Sequence, residues 1–166
     1  SYARSGRKTV LIDSDLRKPD IAKALKLPPG QRGFQDFLFG KKLPDCIFPL
    51  QSFGLNILAS DVRNSQDAAD LLSSGRTAEK IRTLKEYFEI IIIDSPPVLA
   101  FADTLVLAKI ADFVVVTTFM GHTSHIHTKE AVTRLEQVGA KIMGTVVNNV
   151  KVHNGYRQYG YGYGYG

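Results

Sequence analysis

The chain has 166 residues, of which 44% are hydrophobic and 22% are charged, a composition that excludes a disordered protein and matches one globular domain with its own core. The formal charge of +5 is spread over basic pairs such as Arg7-Lys8 and Lys41-Lys42, and this dispersal argues against a nucleic-acid partner. The single cysteine, Cys46, excludes an internal disulfide and fits a reducing compartment.

The apolar segments predict strands that alternate with helices. In chain order we expect a strand at 8–13, a helix at 19–27, a short helix within 33–40, a strand at 55–60, helices at 65–74 and 76–88, a strand at 89–94, a helix at 102–111, a strand at 112–118, a helix at 124–139 and a strand at 141–149. The strands are continuous runs of Ile and Val, which are typical of a parallel sheet covered on both faces. The sequence therefore predicts an α/β fold with a doubly wound, mostly parallel sheet and helices on both faces.

Two of the predicted strands end on an aspartate. The run "TVLID" ends on Asp13, and "IIIID" ends on Asp94. Ligands of such sheets bind beyond the carboxyl ends of the strands, where two carboxylates on one edge repel each other unless a cation or a proton lies between them. The pair therefore favours a magnesium site, although an aspartate after a strand is also a common turn or helix-cap residue.

Three stretches resemble a known family. "VLIDSDLRKP" resembles the Walker A prime motif, and "IIIIDSPPV" the Walker B motif, of the bacterial tyrosine kinases that govern capsule and exopolysaccharide synthesis. The tyrosine-rich end "GYRQYGYGYGYG" is similar to the third hallmark of that family. The two Walker motifs are shared with the wider group of deviant P-loop ATPases, which includes partition and division-site ATPases, whereas the tail distinguishes the kinases.

The resemblance implies ATP and Mg²⁺ as cofactors and a role for each matching residue. Asp13 would approach the metal and the acceptor hydroxyl, with Asp15 as its partner, and Asp94 would hold the metal through water. Asn148 would bind the adenine edge, unless it is only a turn residue. Arg17 would touch phosphate or a neighbouring subunit, unless it forms a surface ion pair.

The last residues predict a flexible segment, because glycine between tyrosines has no side chain to bury and loses much backbone freedom on ordering. We expect a partial P-loop kinase domain at 1–150 and a flexible tail rich in Tyr and Gly at 151–166. The resemblance implies that the tail tyrosines are the phosphate acceptors: Tyr156, Tyr159, Tyr161, Tyr163 and Tyr165.

One motif of the family does not occur in the chain. The Walker A sequence G-x-x-x-x-G-K-[ST], which cradles the phosphates, is absent from residues 1–166. We expect this loop and the first strand upstream of Ser1, so that the chain alone binds ATP poorly and turns it over hardly at all. A second departure is Asn64-Ser65-Gln66, where the family has a Pro-Asn-Pro turn near the nucleotide base.

The resemblance also implies partners and a location. It implies a transmembrane activator or a fused N-terminal membrane domain, a homo-oligomer, a tyrosine phosphatase, and a cytoplasmic position at the inner face of the plasma membrane. The chain has no apolar run near the ~20 residues that cross a bilayer, and its first residues lack the apolar core of a signal peptide. Two other functions stay open: a partition or division-type ATPase, whose acceptor is water, and a non-catalytic phospho-acceptor or interaction module.

Overall fold

The computed structural model describes residues 2–61, 72 and 75–150. Every strand that the sequence predicts is present, and one further short strand joins them. The strands are β1 (Thr9–Asp13), β2 (Phe48–Leu50), β3 (Leu55–Leu58), β4 (Ile90–Asp94), β5 (Val114–Phe119) and β6 (Ile142–Asn148). The helices are α1 (Ile21–Ala24), α2 (Phe34–Leu38), α3 (Leu43–Cys46), α4 (Gly75–Leu84), α5 (Asp103–Ile110) and α6 (His125–Gln137).

The described strands form two sheets. Four strands follow the order β2-β3-β1-β4, and β5 pairs with β6 separately. All neighbours are parallel except β2, which runs antiparallel to β3. Pro49 in the middle of β2 has no N–H to donate, which suits an edge strand and explains why the sequence pattern missed it. The predicted α/β class with a mostly parallel sheet is confirmed.

The core lies around β1, because this strand has a neighbour on each side. Val10 and Ile12 are fully buried and pack in one cluster with side chains from α2, α4 and α5, including Phe34, Leu84 and Leu107. A smaller cluster joins β5 to α5 and α6 through Ala108, Val116 and Leu135. Helix α5 therefore contributes to both clusters and packs against both sheets.

The sequence predicts strands that are covered on both faces. For β4, β5 and β6 this prediction is wrong within the described residues. Ile92 is 44% exposed, Val115 48% and Met143 65%. The reason is positional: among the described residues β4 lies at the edge of its sheet, β5 pairs only with β6, and no second layer covers these side chains. By contrast, four of the five residues of β1 are buried.

The predicted helix at 19–27 is also longer than the structure allows. Helix α1 ends at Ala24 because Lys26 adopts a left-handed conformation, with φ of 53°, and the Leu27 N–H donates to the Ala22 carbonyl at 2.9 Å. This bond is typical of a helix terminus. Of the predicted helix at 65–74, only Leu72 is described, and it is helical and buried. The unusual stretch at 64–66 lies outside the described residues.

Candidate active site

Two predicted carboxylates lie side by side at the carboxyl edge of the four-stranded sheet. Strands β1 and β4 are parallel neighbours, and Asp13 is the register partner of Asp94. The ladder continues one residue further, since both the backbone N–H and the hydroxyl of Ser14 donate to the Asp94 carbonyl, at 2.9 and 2.5 Å. Paired positions of neighbouring strands project from the same face of a sheet, so the two side chains share one side of this edge.

The Asp13 carboxylate is held by backbone donors. Its Oδ1 accepts the N–H of Asp15 at 3.2 Å, and its Oδ2 accepts the N–H of Ile21, at the start of α1, at 3.1 Å. The hydroxyl of Ser60, just after β3, donates to the Asp13 carbonyl at 2.6 Å. Asp13 is 1% exposed, so both its backbone and its side chain are fixed in place.

Desolvation and neighbouring negative charge raise the pKa of both carboxylates above its ordinary value. The pKa of Asp13 is raised to about 6, chiefly by burial and then by the charges of Asp94 and Asp15, against the lowering effect of its two backbone donors. The pKa of Asp94 is also raised, by partial desolvation of its carboxylate and then by the charge of Asp15, although the residue as a whole is exposed. A divalent cation would relieve both costs, because it favours the charged form of each group.

The donor set fits magnesium. Within the described ranges no three His, Cys, Asp or Glu side chains form a metal-binding group, so the protein would supply at most a pair of ligands here. Mg²⁺ is usually held by one or two carboxylates together with water and substrate phosphates. Asp13 and Asp94 would therefore hold it, with the other ligands coming from water and nucleotide oxygens. Their metal and catalytic roles stay predictions.

Asp15 shapes the segment that follows β1, here called the β1 loop (residues 14–20). Its Oδ1 accepts two backbone N–H groups, from Arg17 at 3.2 Å and from Lys18 at 2.9 Å. Such a turn around an aspartate side chain is a common local structure. The carboxylate thus has a structural role, and its predicted catalytic role as partner of Asp13 stays a prediction.

Arg17 is engaged with the segment that follows β4, here called the β4 loop (residues 95–102), and with the helix after it. Its guanidinium forms an ion pair with Asp103, and its Cζ lies 4.4 Å from the ring centroid of Phe101. The Arg17 side chain is 26% exposed and that of Asp103 10%, so this pair is more buried than an ordinary surface pair. Contact of Arg17 with phosphate or a neighbouring subunit stays a prediction.

Sequence reasoning missed Asp103 and Phe101. They lie more than 80 residues after Arg17, and Asp103 is the first residue of α5, where an acidic side chain is common because it faces the positive end of the helix dipole. The position at the start of the helix is enough to explain an aspartate at residue 103. The chain therefore carries no short-range signal for the contact with Arg17.

Asn148 lies apart from the carboxylate pair. It ends β6, where it is the register partner of Phe119, and its carbonyl accepts the N–H of Met120 at 2.9 Å. The next residue, Asn149, adopts a left-handed φ of 57°, so the chain turns there. In the described part of the chain no hydrogen bond or ion pair joins Asn148 to Asp13 or Asp94, and its contact with adenine stays a prediction. The five tail tyrosines lie outside the described residues.

Asp13 should make the domain less stable as the pH rises. Its pKa goes from 3.8 to about 6 on folding, so the folded chain binds this proton more tightly. The resulting stabilisation is complete below about pH 4 and is lost as the pH rises through about 6, with an upper size of about 3 kcal/mol. The variant Asp13→Asn lacks this titration. Urea unfolding should therefore show the variant gaining about 1–3 kcal/mol on the wild type between pH 4 and pH 7.5. An unchanged difference between the two proteins would contradict the burial of an ionisable Asp13.

Comparisons with known proteins agree with this fold. The tyrosine-protein kinase CpsD of Streptococcus agalactiae is 30% identical over 165 residues, which cover 96% of this chain and 72% of that protein. Among solved structures, the kinase domain of VpsO has a TM-score of 0.83 at 36% identity and covers 90% of this chain and 75% of that chain. The septum site-determining protein MinD of Pyrococcus horikoshii, solved with Mg-ADP, has a TM-score of 0.71 at 19% identity and covers 94% of this chain and 65% of that chain. No protein-family model matches the chain. These similarities confirm a P-loop NTPase-like fold.

Proposed function

The chain belongs to the bacterial tyrosine-protein kinases, and from this premise we propose that it is the catalytic part of a protein-tyrosine autokinase. The proposed reaction transfers the γ-phosphoryl group of ATP to tyrosines in the tail of the same protein. The proposed role is control of capsular or exopolysaccharide synthesis and export. In this proposal residues 1–150 form a partial kinase domain and residues 151–166 form a flexible substrate tail.

The observation that carries the proposal is the in-register pair Asp13 and Asp94. When bound, Mg²⁺ would neutralise charge on the phosphate oxygens. With a pKa of about 6, Asp13 is mostly ionised at neutral pH and suits a general base. The phenolic oxygen attacks the γ-phosphorus, the bond from that phosphorus to the β–γ bridging oxygen breaks, and ADP leaves. The phenolic proton, with an ordinary pKa of about 10, passes to the Asp13 carboxylate.

The proposed reaction needs a Walker A segment. Two strands with an unpaired edge among the described residues indicate where that segment would lie. Strands β4 and β5 each have a neighbour on one side within the described residues. Helix α5 shares one hydrophobic cluster with Ile91 and Ile93 of β4 and a second cluster with Val114 and Val116 of β5. A helix is about 10 Å wide, and neighbouring strands lie about 4.8 Å apart. Helix α5 is therefore wide enough to contact both β4 and β5 if one further strand lies between them. We propose that a parallel strand from a segment preceding Ser1 fills that place and carries the phosphate-binding loop.

Partners and location are part of the same proposal. Among residues 2–61, 72 and 75–150, no helix has the length and apolar character of a membrane span. We propose that a transmembrane activator, or a membrane domain fused upstream, brings the kinase to the inner face of the plasma membrane. The kinase would act as a homo-oligomer and be reset by a tyrosine phosphatase, without a nucleic-acid partner.

A partition or division-type ATPase is the second candidate, and the likeness to MinD in fold favours it. A non-catalytic phospho-acceptor module is the third, and the absence of a Walker A sequence from residues 1–166 favours it. The ATPase function leaves the repeated Tyr-Gly pattern of the tail without a phosphoryl-transfer role.

Deleting residues 156–166 from the full-length protein separates these functions. For the kinase, we expect the deletion to remove nearly all phosphate incorporation into protein, because the tail is the acceptor. For an ATPase, release of inorganic phosphate would continue unchanged and neither protein would carry phosphotyrosine. For a non-catalytic module, neither protein would turn over ATP. Incorporation of labelled phosphate and release of phosphate, measured in parallel, distinguish the three outcomes.

A further inference from the structure

One side chain connects the two loops that leave the paired carboxylates. Arg17 belongs to the β1 loop, four residues after Asp13, and its guanidinium contacts Phe101 of the β4 loop and Asp103 at the start of α5. The backbone N–H of Arg17 is bonded to the Asp15 side chain, which fixes the point from which the guanidinium extends. The contacts of Arg17 therefore join the β1 loop to the β4 loop. Together with the paired ends of β1 and β4, the two loops and this side chain form a closed ring.

The far side of this ring is rigid. The buried hydroxyl of Thr104 donates to the carbonyl of Pro96 at 2.8 Å, and the N–H of Phe101 donates to the carbonyl of Pro97 at 3.2 Å. From helix α6, the Arg134 side chain reaches the carbonyl of Leu99 at 3.5 Å. The β4 loop is thus joined to α5 at Pro96 and to α6 at Leu99, so a contact on Phe101 and Asp103 also restrains the chain back towards Asp94.

The contact suits arginine and does not suit lysine equally well. A planar guanidinium can stack on an aromatic face while one N–H points at a carboxylate, whereas an ammonium group is a compact point charge that is more strongly hydrated. The pair is also partly buried, which strengthens its electrostatic attraction relative to an exposed pair. Arg17→Lys therefore keeps the charge but loses much of the geometry.

We propose that Arg17, Phe101 and Asp103 form a clamp that sets the separation of the Asp13 and Asp94 side chains. This inference rests on the proposed function, because it treats the two aspartates as the cation-binding pair. Like charges at one sheet edge repel, and the segments that follow them are loops, which move more easily than strands. The clamp opposes that repulsion before a cation binds. Arg17 is therefore a positioning residue.

Amide hydrogen exchange of the full-length protein, without nucleotide, tests the clamp. The reporters are the N–H groups of Ser14, bonded to the Asp94 carbonyl, and Ile21, bonded to Asp13 Oδ2. The reference is the N–H of Phe34, bonded to the Ala59 carbonyl at 2.7 Å and remote in sequence from both loops. In Arg17→Ala we expect exchange at Ser14 and Ile21 to be about tenfold faster, with Phe34 unchanged. In Arg17→Lys we expect an intermediate acceleration.

A matched control and a double variant make the result specific. Arg32→Ala breaks another arginine–aspartate pair, with Asp45 at 3.9 Å and both side chains half exposed, and should leave Ser14 and Ile21 unchanged. Asp103→Asn should accelerate both reporters, and combining it with Arg17→Ala should add little, because both changes open one contact. Fully additive effects, equal acceleration at Phe34, or no acceleration at Ser14 and Ile21 would overturn the clamp.

A second measurement connects the clamp to the cation in the full-length protein. Arg17→Lys should raise the Mg²⁺ concentration that gives half-maximal phosphorylation by about three- to tenfold, with a smaller change in the rate at saturating Mg²⁺. An unchanged Mg²⁺ requirement would overturn the clamp. Because the exchange experiment needs no catalysis, it can succeed or fail independently of the proposed kinase activity.

Discussion

Replacing Asp94 with Asn in the full-length protein should lower the rate of tyrosine phosphorylation by about two to three orders of magnitude, and Asp13→Asn should do the same. Each change keeps the shape of the side chain and removes a negative charge from the paired site. Asp13→Asn also removes the base that would accept the phenolic proton. The measurement is incorporation of labelled phosphate at saturating Mg²⁺ and ATP.

Two further aspartates serve as controls for these variants. Asp112→Asn changes an exposed carboxylate that pairs with Lys85 at 3.1 Å, and it should leave the rate within about twofold of the wild type. Asp15→Asn should have an effect between these extremes, because its Oδ1 holds two backbone N–H groups and the amide oxygen of Asn can accept in the same place. Wild-type incorporation in either Asp13→Asn or Asp94→Asn would rule out the paired site as the phosphoryl-transfer centre.

Phosphorylation of the tail should loosen an assembled kinase. We propose that the tail, together with Val150, behaves as a flexible coil. Its 17 residues from Val150 to Gly166 would then span roughly 20 to 25 Å and would reach about 55 to 60 Å when stretched, enough to enter a neighbouring subunit. Each phosphate adds about −1.5 to −2 charges, so five would change the formal charge from +5 to about −2.5 to −5. These groups would repel one another where the chains meet, giving a cycle of association, phosphorylation in trans and release.

Sedimentation of the full-length cytoplasmic part measures this effect. The wild type should dissociate when Mg-ATP is added. A variant with all five tail tyrosines changed to Phe should stay assembled. The changed residues are Tyr156, Tyr159, Tyr161, Tyr163 and Tyr165. The five changes remove only hydroxyl groups, so the unphosphorylated tails are closely matched. Equal dissociation of the two proteins would show that tail charge does not control assembly.

The paired aspartates were predictable because two simple patterns converge on them. A continuous apolar run that ends in Asp gives the strand and its last residue, and parallel strands place such ends at one edge. Local sequence patterns do not give the strand order. Strands β1 and β4 are neighbours in the sheet, although β2 and β3 lie between them in the chain. The resemblance to the kinase motifs implied a shared metal site, whereas the adjacency of β1 and β4 is known from the structure.

The parts that sequence reasoning missed depend on distant residues. The Arg17–Asp103 pair joins positions 86 residues apart, and each residue has an ordinary local explanation. The exposed faces of β4 and β5 also follow from which strands are neighbours, and a run of Ile and Val looks the same in an edge strand as in a central one. Local pattern identifies elements and their ends, whereas pairing between elements comes from tertiary structure.

Phosphopeptide mass spectrometry of the full-length protein tests the central claim most directly. After incubation with Mg-ATP, the wild type should carry phosphate on tyrosines of the segment from Tyr156 to Tyr165, and Asp94→Asn, treated identically, should carry almost none. Phosphate on the tail of the wild type that disappears in this variant is the result expected of a tyrosine autokinase. A tail without phosphate under conditions in which the protein consumes ATP would contradict the account and favour an ATPase.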